Sequence, residues 1–498
     1  MIVFDSHTHV HTLEGHPWDS PPERLLKLMD KAGIGVSLIM PYSEIAQAED
    51  PVMLQMREAC ERYPDRLFYM ARMMPGENAE ALLKAELEKP QCLGLKLHPV
   101  GYRLPPTHPW VLNLVKRAGE LGCPTMFHCG DEEYSLPLQL AKVAEECPDS
   151  KIILGHMGGY FHVQDAIAAA REFPNLYLES SACPHPRAIE EAIEQLGYER
   201  VLFGSDGPGC LPALELEKIL MLKLPKEHEE EVLYKNYLSL LPAKKANLLR
   251  RALEKQDLKS RDPFIQKSPE LDFRFHVSPD FQNLDQASDN DCKSRNLTPV
   301  YSRECYESLH KQLANYCEHG NDYFSIRLSL EEAKSGVLKT SLLTHPNCLS
   351  LYLHPFEDGF RLTEPGLLQI VMNDRTDKPV MVAGGYPLFS QAEQCEHFAR
   401  QIYPRKLIVS SAGQIDICGA HLEAAYQMME NCENVIAETS GIYRQDFIEK
   451  LILDFSPQRV VYGSGAPFFD SSFECLRYRF LELEQAQKIS SLSRWLSR

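Results

Sequence analysis

Leu93–Pro99 reads LGLKLHP, and Leu349–Pro355 reads LSLYLHP. Each is a short apolar run that ends in an imidazole and a proline. Such a run, without polar alternation, is what a strand buried on both faces of a parallel sheet requires. His98 and His354 stand 256 residues apart, and the match extends outward from them. CPTMFHCG at Cys123–Gly130 parallels KPVMVAGG at Lys378–Gly385, and KIILGHMG at Lys151–Gly158 parallels KLIVSSAG at Lys406–Gly413. NLYLES at Asn175–Ser180 parallels NVIAET at Asn434–Thr439, and RVLFGSD at Arg200–Asp206 parallels RVVYGSG at Arg459–Gly465. The offsets stay between 255 and 259, and so near-constant a register marks a tandem duplication.

In the first copy the apolar runs are Ile2–Asp5, Gly35–Met40, Leu67–Ala71, Leu93–Leu97, Pro124–Phe127, Lys151–Leu154, Leu176–Leu178 and Val201–Phe203. Stretches with apolar residues at helical spacing lie between them, several opening with proline. Eight alternating units in roughly 210 residues predict a closed barrel. An open doubly wound sheet would need a glycine-rich phosphate loop after the first strand, and Ser6-His7-Thr8-His9 is not one. The expected fold is therefore α/β: tandem (β/α)8 TIM-type barrels over 1–255 and 273–498, joined by a polar linker at 256–272. Residues 226–255 read as a charged amphipathic helix closing the first barrel, and 280–298 as loop. The second copy reads as degenerate and incomplete at its start. Shifting the second strand by 255 lands on Asp289–Asn296, DNDCKSRN, which is not strand-like. Only Phe273–Val277 looks like an early strand there.

The chain of 498 residues is 44% hydrophobic and 24% charged, ordinary for a globular protein. A net charge of −18 argues against nucleic acid or an anionic membrane as the main partner and leaves a small-molecule substrate. No apolar stretch is long enough to span a bilayer, and the N-terminus lacks the basic and apolar regions of a secretory leader. Fifteen cysteines, an odd number with no C-x-x-C pair, fit reduced thiols. A cytoplasmic protein is expected.

Every reactive-looking group of the first copy falls where a barrel keeps its site, at the C-terminal strand ends. His7 and His9 follow strand one and, two apart in extended chain, point the same way. His128 ends strand five, His156 ends strand six and Asp206 ends strand eight. Three or four imidazoles and a carboxylate complete a ligand set for a divalent ion, most simply one Zn2+ per chain. A single H-x-H or a lone strand-end histidine is more often structural; five such residues on four strand ends are not. Lys96 and His98 end strand four and Arg72 ends strand three; all three are candidates to bind substrate. Glu179, Trp18, Tyr42, Tyr102, Arg103 and Tyr160 are weaker candidates for the mouth, each better explained by ordinary loop packing. Cys129, next to His128, is expected to point away.

FDSHTH, GLKLHP, MFHCG, LGHMGG and FGSDGP together resemble the amidohydrolase superfamily, and within it the amidohydrolase-related branch that includes aminocarboxymuconate-semialdehyde decarboxylase. The resemblance covers about 1–240. It implies a metal-dependent hydrolase acting through a metal-activated water, or alternatively a metal-dependent decarboxylase of a small conjugated or aromatic acid. It also implies that His7, His9, His128 and Asp206 bind the metal, with His156 either a further ligand or the residue that handles the water's proton beside Asp206. In binuclear relatives a lysine on strand four is carboxylated and bridges two metals. Lys96 either does this or stands as a cation for a substrate carboxylate. A non-catalytic metal-binding scaffold is the third reading, disfavoured because structural zinc sites are closed and cysteine-rich.

In the second copy His128 becomes Ala383, His156 becomes Ser411, Asp206 becomes Gly465 and Lys96 becomes Tyr352, while His98 persists as His354. His276 matches one histidine of the first pair. Relatives of this type pair as dimers, so the resemblance implies an intramolecular pseudo-dimer of the two barrels.

Overall fold

The structure is a computed structural model, and it describes residues 1–10, 20–41, 51–256, 267–278, 281, 284, 292–302 and 306–496. The chain divides into two compact units, Met1–Pro263 and Phe264–Arg498. Trp18, Tyr42 and residues 257–266 of the expected linker lie outside the described residues.

The first unit holds eight parallel strands in sequential order: β1 Phe4–His9, β2 Val36–Met40, β3 Leu67–Arg72, β4 Cys92–Leu97, β5 Thr125–His128, β6 Ile152–Gly155, β7 Leu176–Glu179 and β8 Val201–Leu202. The ring closes through Ser6 N–H to Phe203 O (3.2 Å) and His9 N–H to Gly207 O (2.7 Å). Phe4, Leu38, Phe68, Leu93, Met126, Ile153 and Leu202 fill the lower interior. A second apolar layer, including Ile39, Leu95, Phe127 and Leu154, packs outward against the helices. Apolar residues on both faces explain the continuous runs in the sequence. The helices Pro22–Ala32, Pro109–Glu120, Pro137–Glu146, Pro186–Leu196 and Pro212–Leu220 begin with proline, whose fixed φ suits that position.

Two expectations for this unit need correction. Strand β1 runs on through His9, so His7 and His9 lie within it rather than after it. Its register against β2 shifts between Asp5 and Thr8, and such an irregularity re-aims side chains at a barrel rim. Residues 226–255 are also not one helix. Helical turns over 226–240 stop at Leu241, and a second helix runs Ala243–Glu254. Pro242, which has no N–H to donate, separates them. Tyr237, Leu240, Leu249 and Leu253 then cover the barrel floor.

The second unit is a complete eight-stranded ring, not a partial one: β9 Leu271–Val277, β10 Ser294–Pro299, β11 Tyr323–Arg327, β12 Cys348–Leu353, β13 Val380–Val382, β14 Leu407–Val409, β15 Val435–Glu438 and β16 Val460–Val461. Phe273 N–H to Tyr462 O (2.9 Å) and His276 N–H to Ala466 O (2.7 Å) repeat the closing bonds of the first ring. β9 begins at Leu271, inside the stretch expected to be linker. β10 occupies the end of the stretch expected to be loop. Its sequence, SRNLTP, is polar, but the polar groups are satisfied inside. Asn296 Nδ2 donates to Phe273 O (3.0 Å) and Ser325 Oγ (2.9 Å), and Thr298 Oγ1 donates to Phe275 O (3.2 Å). A strand that buries bonded polar side chains leaves no hydropathic trace. No described helix is long and apolar enough to cross a membrane.

Candidate metal centre

Four of the five ligand-type residues meet at the mouth of the first barrel. His7, His156 and Asp206 each place a ligand atom within 4.8 Å of the others. His9 Nε2 lies 2.9 Å from Asp206 Oδ1, and His7 Nε2 lies 3.8 Å from the same oxygen. All four are buried. His128 stands beside them, its ring centroid 4.9 Å from that of His156. Its Nε2 is 3.1 Å from Glu132 Oε2, and it stacks on His98 at 4.0 Å. His98, His128 and Glu132 thus form a second, adjacent group of ligand-type atoms.

The imidazoles are held in chosen tautomers. His7 Nδ1 donates to Glu179 Oε2 (2.8 Å), and His9 Nδ1 donates to Met40 O (3.2 Å). Both Nε2 lone pairs are therefore directed into the cluster, as a metal ligand needs. His156 Nδ1 lies 3.2 Å from Ser181 O. Glu179, wholly buried, also accepts from Ser181 N–H (2.6 Å), Ser181 Oγ (2.8 Å) and His156 N–H (3.3 Å). The chain passes close at Gly204: a Cβ there would sit 2.3 Å from Glu179 Oε1 and 2.8 Å from His7 Cβ. His156 and Asp206 adopt positive φ, 68° and 58°, an unfavourable backbone for such residues that turns both toward the cluster.

Electrostatics prepare the same state. Burial holds His7 and His156 well below the usual imidazole range and lowers His9, with neighbouring Lys96 adding to the effect at each. Burial would raise Asp206, but its bond to His9 and its interactions with His9, His156 and His7 hold it well below the carboxylate range. Neutral imidazoles around an ionised carboxylate are what a divalent cation takes up without proton release. The donor set fits such an ion: nitrogen and oxygen ligands at the strand-end rim.

The remaining candidates are placed as follows. Lys96 is buried, its Nζ 3.1 Å from His7 Nε2, so it lies against the cluster itself. Arg72 is buried and donates to Pro41 O (2.8 Å). His98 follows β4 and lies on the His128 ring. Tyr102 and Tyr160 are buried, and Arg103 is exposed. Cys129 packs in the apolar layer between strands and helices, away from the cluster. Sequence reasoning gave Glu179 no more than a weak place and did not single out Glu132 or Ser181. The signal for Glu179 and Ser181 was present: Glu179-x-Ser181 recurs as Glu438-x-Ser440 where the ligands are lost.

The family model described as Amidohydrolase matches residues 4–243. No curated protein matches the chain. Among solved structures, the chain is similar to 2,6-dihydroxybenzoate decarboxylase from Rhizobium (16% identity, 48% of this chain and 98% of that chain, TM-score 0.38). It is similar at the same identity, coverage and score to 5-carboxyvanillate decarboxylase from Sphingomonas paucimobilis. A third is dihydroxybenzoic acid decarboxylase from Polaromonas, with bound manganese (16% identity, 49% and 97% coverage, TM-score 0.39). Residues 4–243, and with them the N-terminal barrel, match the amidohydrolase family model, and the protein is a metal-dependent enzyme of the amidohydrolase type, a hydrolase or a decarboxylase.

Proposed function

We propose that the N-terminal barrel holds one divalent ion, zinc by its donor set, between His7, His9, His156 and Asp206, and hydrolyses a small organic substrate at its mouth. The observation that carries this reading is the buried cluster of tautomer-fixed imidazoles around an ionised carboxylate. When bound, the ion supplies Lewis-acid polarisation and lowers the pKa of water. The chain's own residues do the rest. Asp206 accepts the proton of the attacking water. His128, oriented by Glu132, delivers a proton to the leaving group. Lys96, Arg72 and His98 orient the substrate's polar end.

Decarboxylation of a small acid is the second reading. Two buried cations on neighbouring strands, Arg72 and Lys96, favour it, since they suit a substrate carboxylate. There His128 would protonate carbon instead of a leaving group.

Elemental analysis of the purified protein, alongside Asp206→Asn, tests the proposal. About one ion per chain is expected in the parent and less in the variant. Turnover is expected to fall roughly 10²- to 10⁴-fold, the range for a lost acid–base group. A panel of esters, amides and lactones, set against carbon dioxide release from small aromatic acids, separates the two readings. Two ions per chain would favour a carboxylated, bridging Lys96. No metal after reconstitution would sink the metal reading.

A further inference from the structure

Pairing register identifies what replaced His7. Asp5 pairs with Ser37 across β1 and β2, and Asp272 pairs with Arg295 across β9 and β10. Asp272 is thus the counterpart of Asp5, Arg274 that of His7, and His276 that of His9. Gly465, the counterpart of Asp206, donates its N–H to Arg274 O (2.8 Å), as Asp206 donates to His7 O (2.7 Å). The Arg274 guanidinium reaches over Gly465: a Cβ on that glycine would lie 2.6 Å from Nη2. A fixed cation therefore stands where the first barrel gathers donors for a metal.

This guanidinium is poorly satisfied. Arg274 is only 6% exposed, yet among the described residues its Nε has no hydrogen-bond partner. Its ion-pair partner, Glu438 Oε2, is 3.5 Å away. Glu438 is already taken up by Ser440 N–H (2.6 Å), Ser440 Oγ (2.9 Å) and Ser411 N–H (3.2 Å). On β12 the hydroxyl of Tyr352, fully buried, also has no partner among the described residues. Arg327 is different: each of its three nitrogens has an acceptor, Asp358 (2.8 Å), Glu357 (2.7 Å) and Pro299 O (3.0 Å). Native proteins seldom leave buried donors unmet, and each such case calls for a missing partner. Here two unmet donors belong to one strand-end cluster. His276 lies 6.0 Å from the Tyr352 ring, His354 lies 6.2 Å from it, and Tyr386 lies 4.9 Å from His354. Burial, with Arg274 and Arg327 nearby, keeps both histidines well below the imidazole range, so they add no charge and leave Arg274 to select an anion.

We propose that the mouth of the C-terminal barrel is a binding site for a small carboxylate, held by the Arg274 guanidinium and the Tyr352 hydroxyl against the rings of His354 and Tyr386. A planar carboxylate matches the guanidinium fork, and Tyr386 extends the flat wall by stacking on Phe356 at 5.1 Å. A small acid with a flat or apolar body fits that surface better than inorganic phosphate does. The proposal is independent of the chemistry of the first barrel.

Calorimetric titration of the full chain with benzoate, and separately with inorganic phosphate, tests it. The parent is expected to bind benzoate at a saturable site that Asp206→Asn leaves in place. Arg274→Gln should weaken that site about tenfold or more, as loss of a charge-assisted bond does, and Tyr352→Phe should weaken it several-fold. Phosphate that competes would make the site a general oxyanion site; phosphate that does not would assign it to carboxylates. Should Arg274→Gln fail to fold, Arg274→Lys and Tyr352→Phe decide. Unchanged affinity in both, or no binding of either anion at millimolar concentration, overturns the proposal.

Discussion

In the first barrel Ser205 N–H and Oγ clasp the Asp5 carboxylate at 2.8 and 2.6 Å; in the second, Ser464 clasps Asp272 at 2.8 and 2.5 Å. Glu179 and Ser181 are likewise repeated by Glu438 and Ser440, bond for bond. The ligand candidates are not repeated: His7, His128, His156 and Asp206 correspond to Arg274, Ala383, Ser411 and Gly465. The residues that close the ring and order its strand ends are therefore separable from those that would bind an ion. Closure is a requirement of the fold, since an open edge strand would leave its backbone unpaired. The proposed ligands would serve only the ion. Glu179 belongs to both sets, because it orders the strand ends and also aims His7.

That double role gives the largest predicted contrast. Glu179→Gln keeps the shape but weakens the bond that fixes His7. Metal affinity should fall roughly 10- to 100-fold, as for other outer partners of a metal-bound imidazole. Glu438→Gln should leave metal content unchanged. It removes the counter-charge of a buried arginine and should destabilise the C-terminal unit by about 3–5 kcal/mol. Metal titration and urea unfolding on both variants check this. Equal loss of metal in the two would end the separation of roles.

Backbone strain gives a smaller contrast. Asp206 holds φ 58° and Gly465 holds φ 63°. Only the glycine takes up that conformation without cost. Asp206→Gly should therefore abolish activity while changing metal-free stability by no more than about 1 kcal/mol. Gly465→Ala should cost about 1–3 kcal/mol, because the new methyl meets Arg274 Nη2 at 2.6 Å and Phe469 Cδ2 at 2.9 Å. Trp495, packed on Phe273 at 4.7 Å, reports unfolding of the second unit once the other tryptophans are replaced by phenylalanine.

Much of this was legible in the sequence. Continuous apolar runs betray strands buried on both faces, and several ligand-type residues gathered at the ends of such runs point to a bound ion. β10 was not legible, because Asn296 and Thr298 satisfy their polar groups inside the barrel and so look like loop residues. Arg274 was missed for a geometric reason. The offset between copies is 255 at Arg72 and Arg327 but 267 at His7 and Arg274, because the connections after the first and second strands are shorter in the second copy. A fixed shift of 255 therefore slides past β9. Glu132 carried no periodic signal at all; only the turn after β5 brings it back onto His128.

The smallest effect concerns the clasp itself. Burial pushes the Asp272 carboxyl up to about 7, against the bonds from Ser464 and Arg274 N–H, with Glu438 adding to the rise. In the unfolded chain an aspartate titrates near 3.9. The native state thus holds this proton more tightly than the unfolded state does. Its stabilising contribution is complete below about pH 4 and is lost as pH rises through 7, at roughly 1 kcal/mol per pH unit between 5 and 7. His276 and His354, buried and neutral, act in the opposite direction as pH falls through their unfolded value near 6.5. The net slope therefore hides the aspartate. Asp272→Asn, which cannot ionise, shares the histidine slope and lacks the carboxyl slope. The difference between parent and variant in urea midpoint, read at Trp495, should move steadily in the variant's favour from pH 5 to pH 7. A difference that stays flat across that range would mean that the Ser464 clasp keeps Asp272 ionised, and that the clasp is an anion held by three donors rather than a neutral acid.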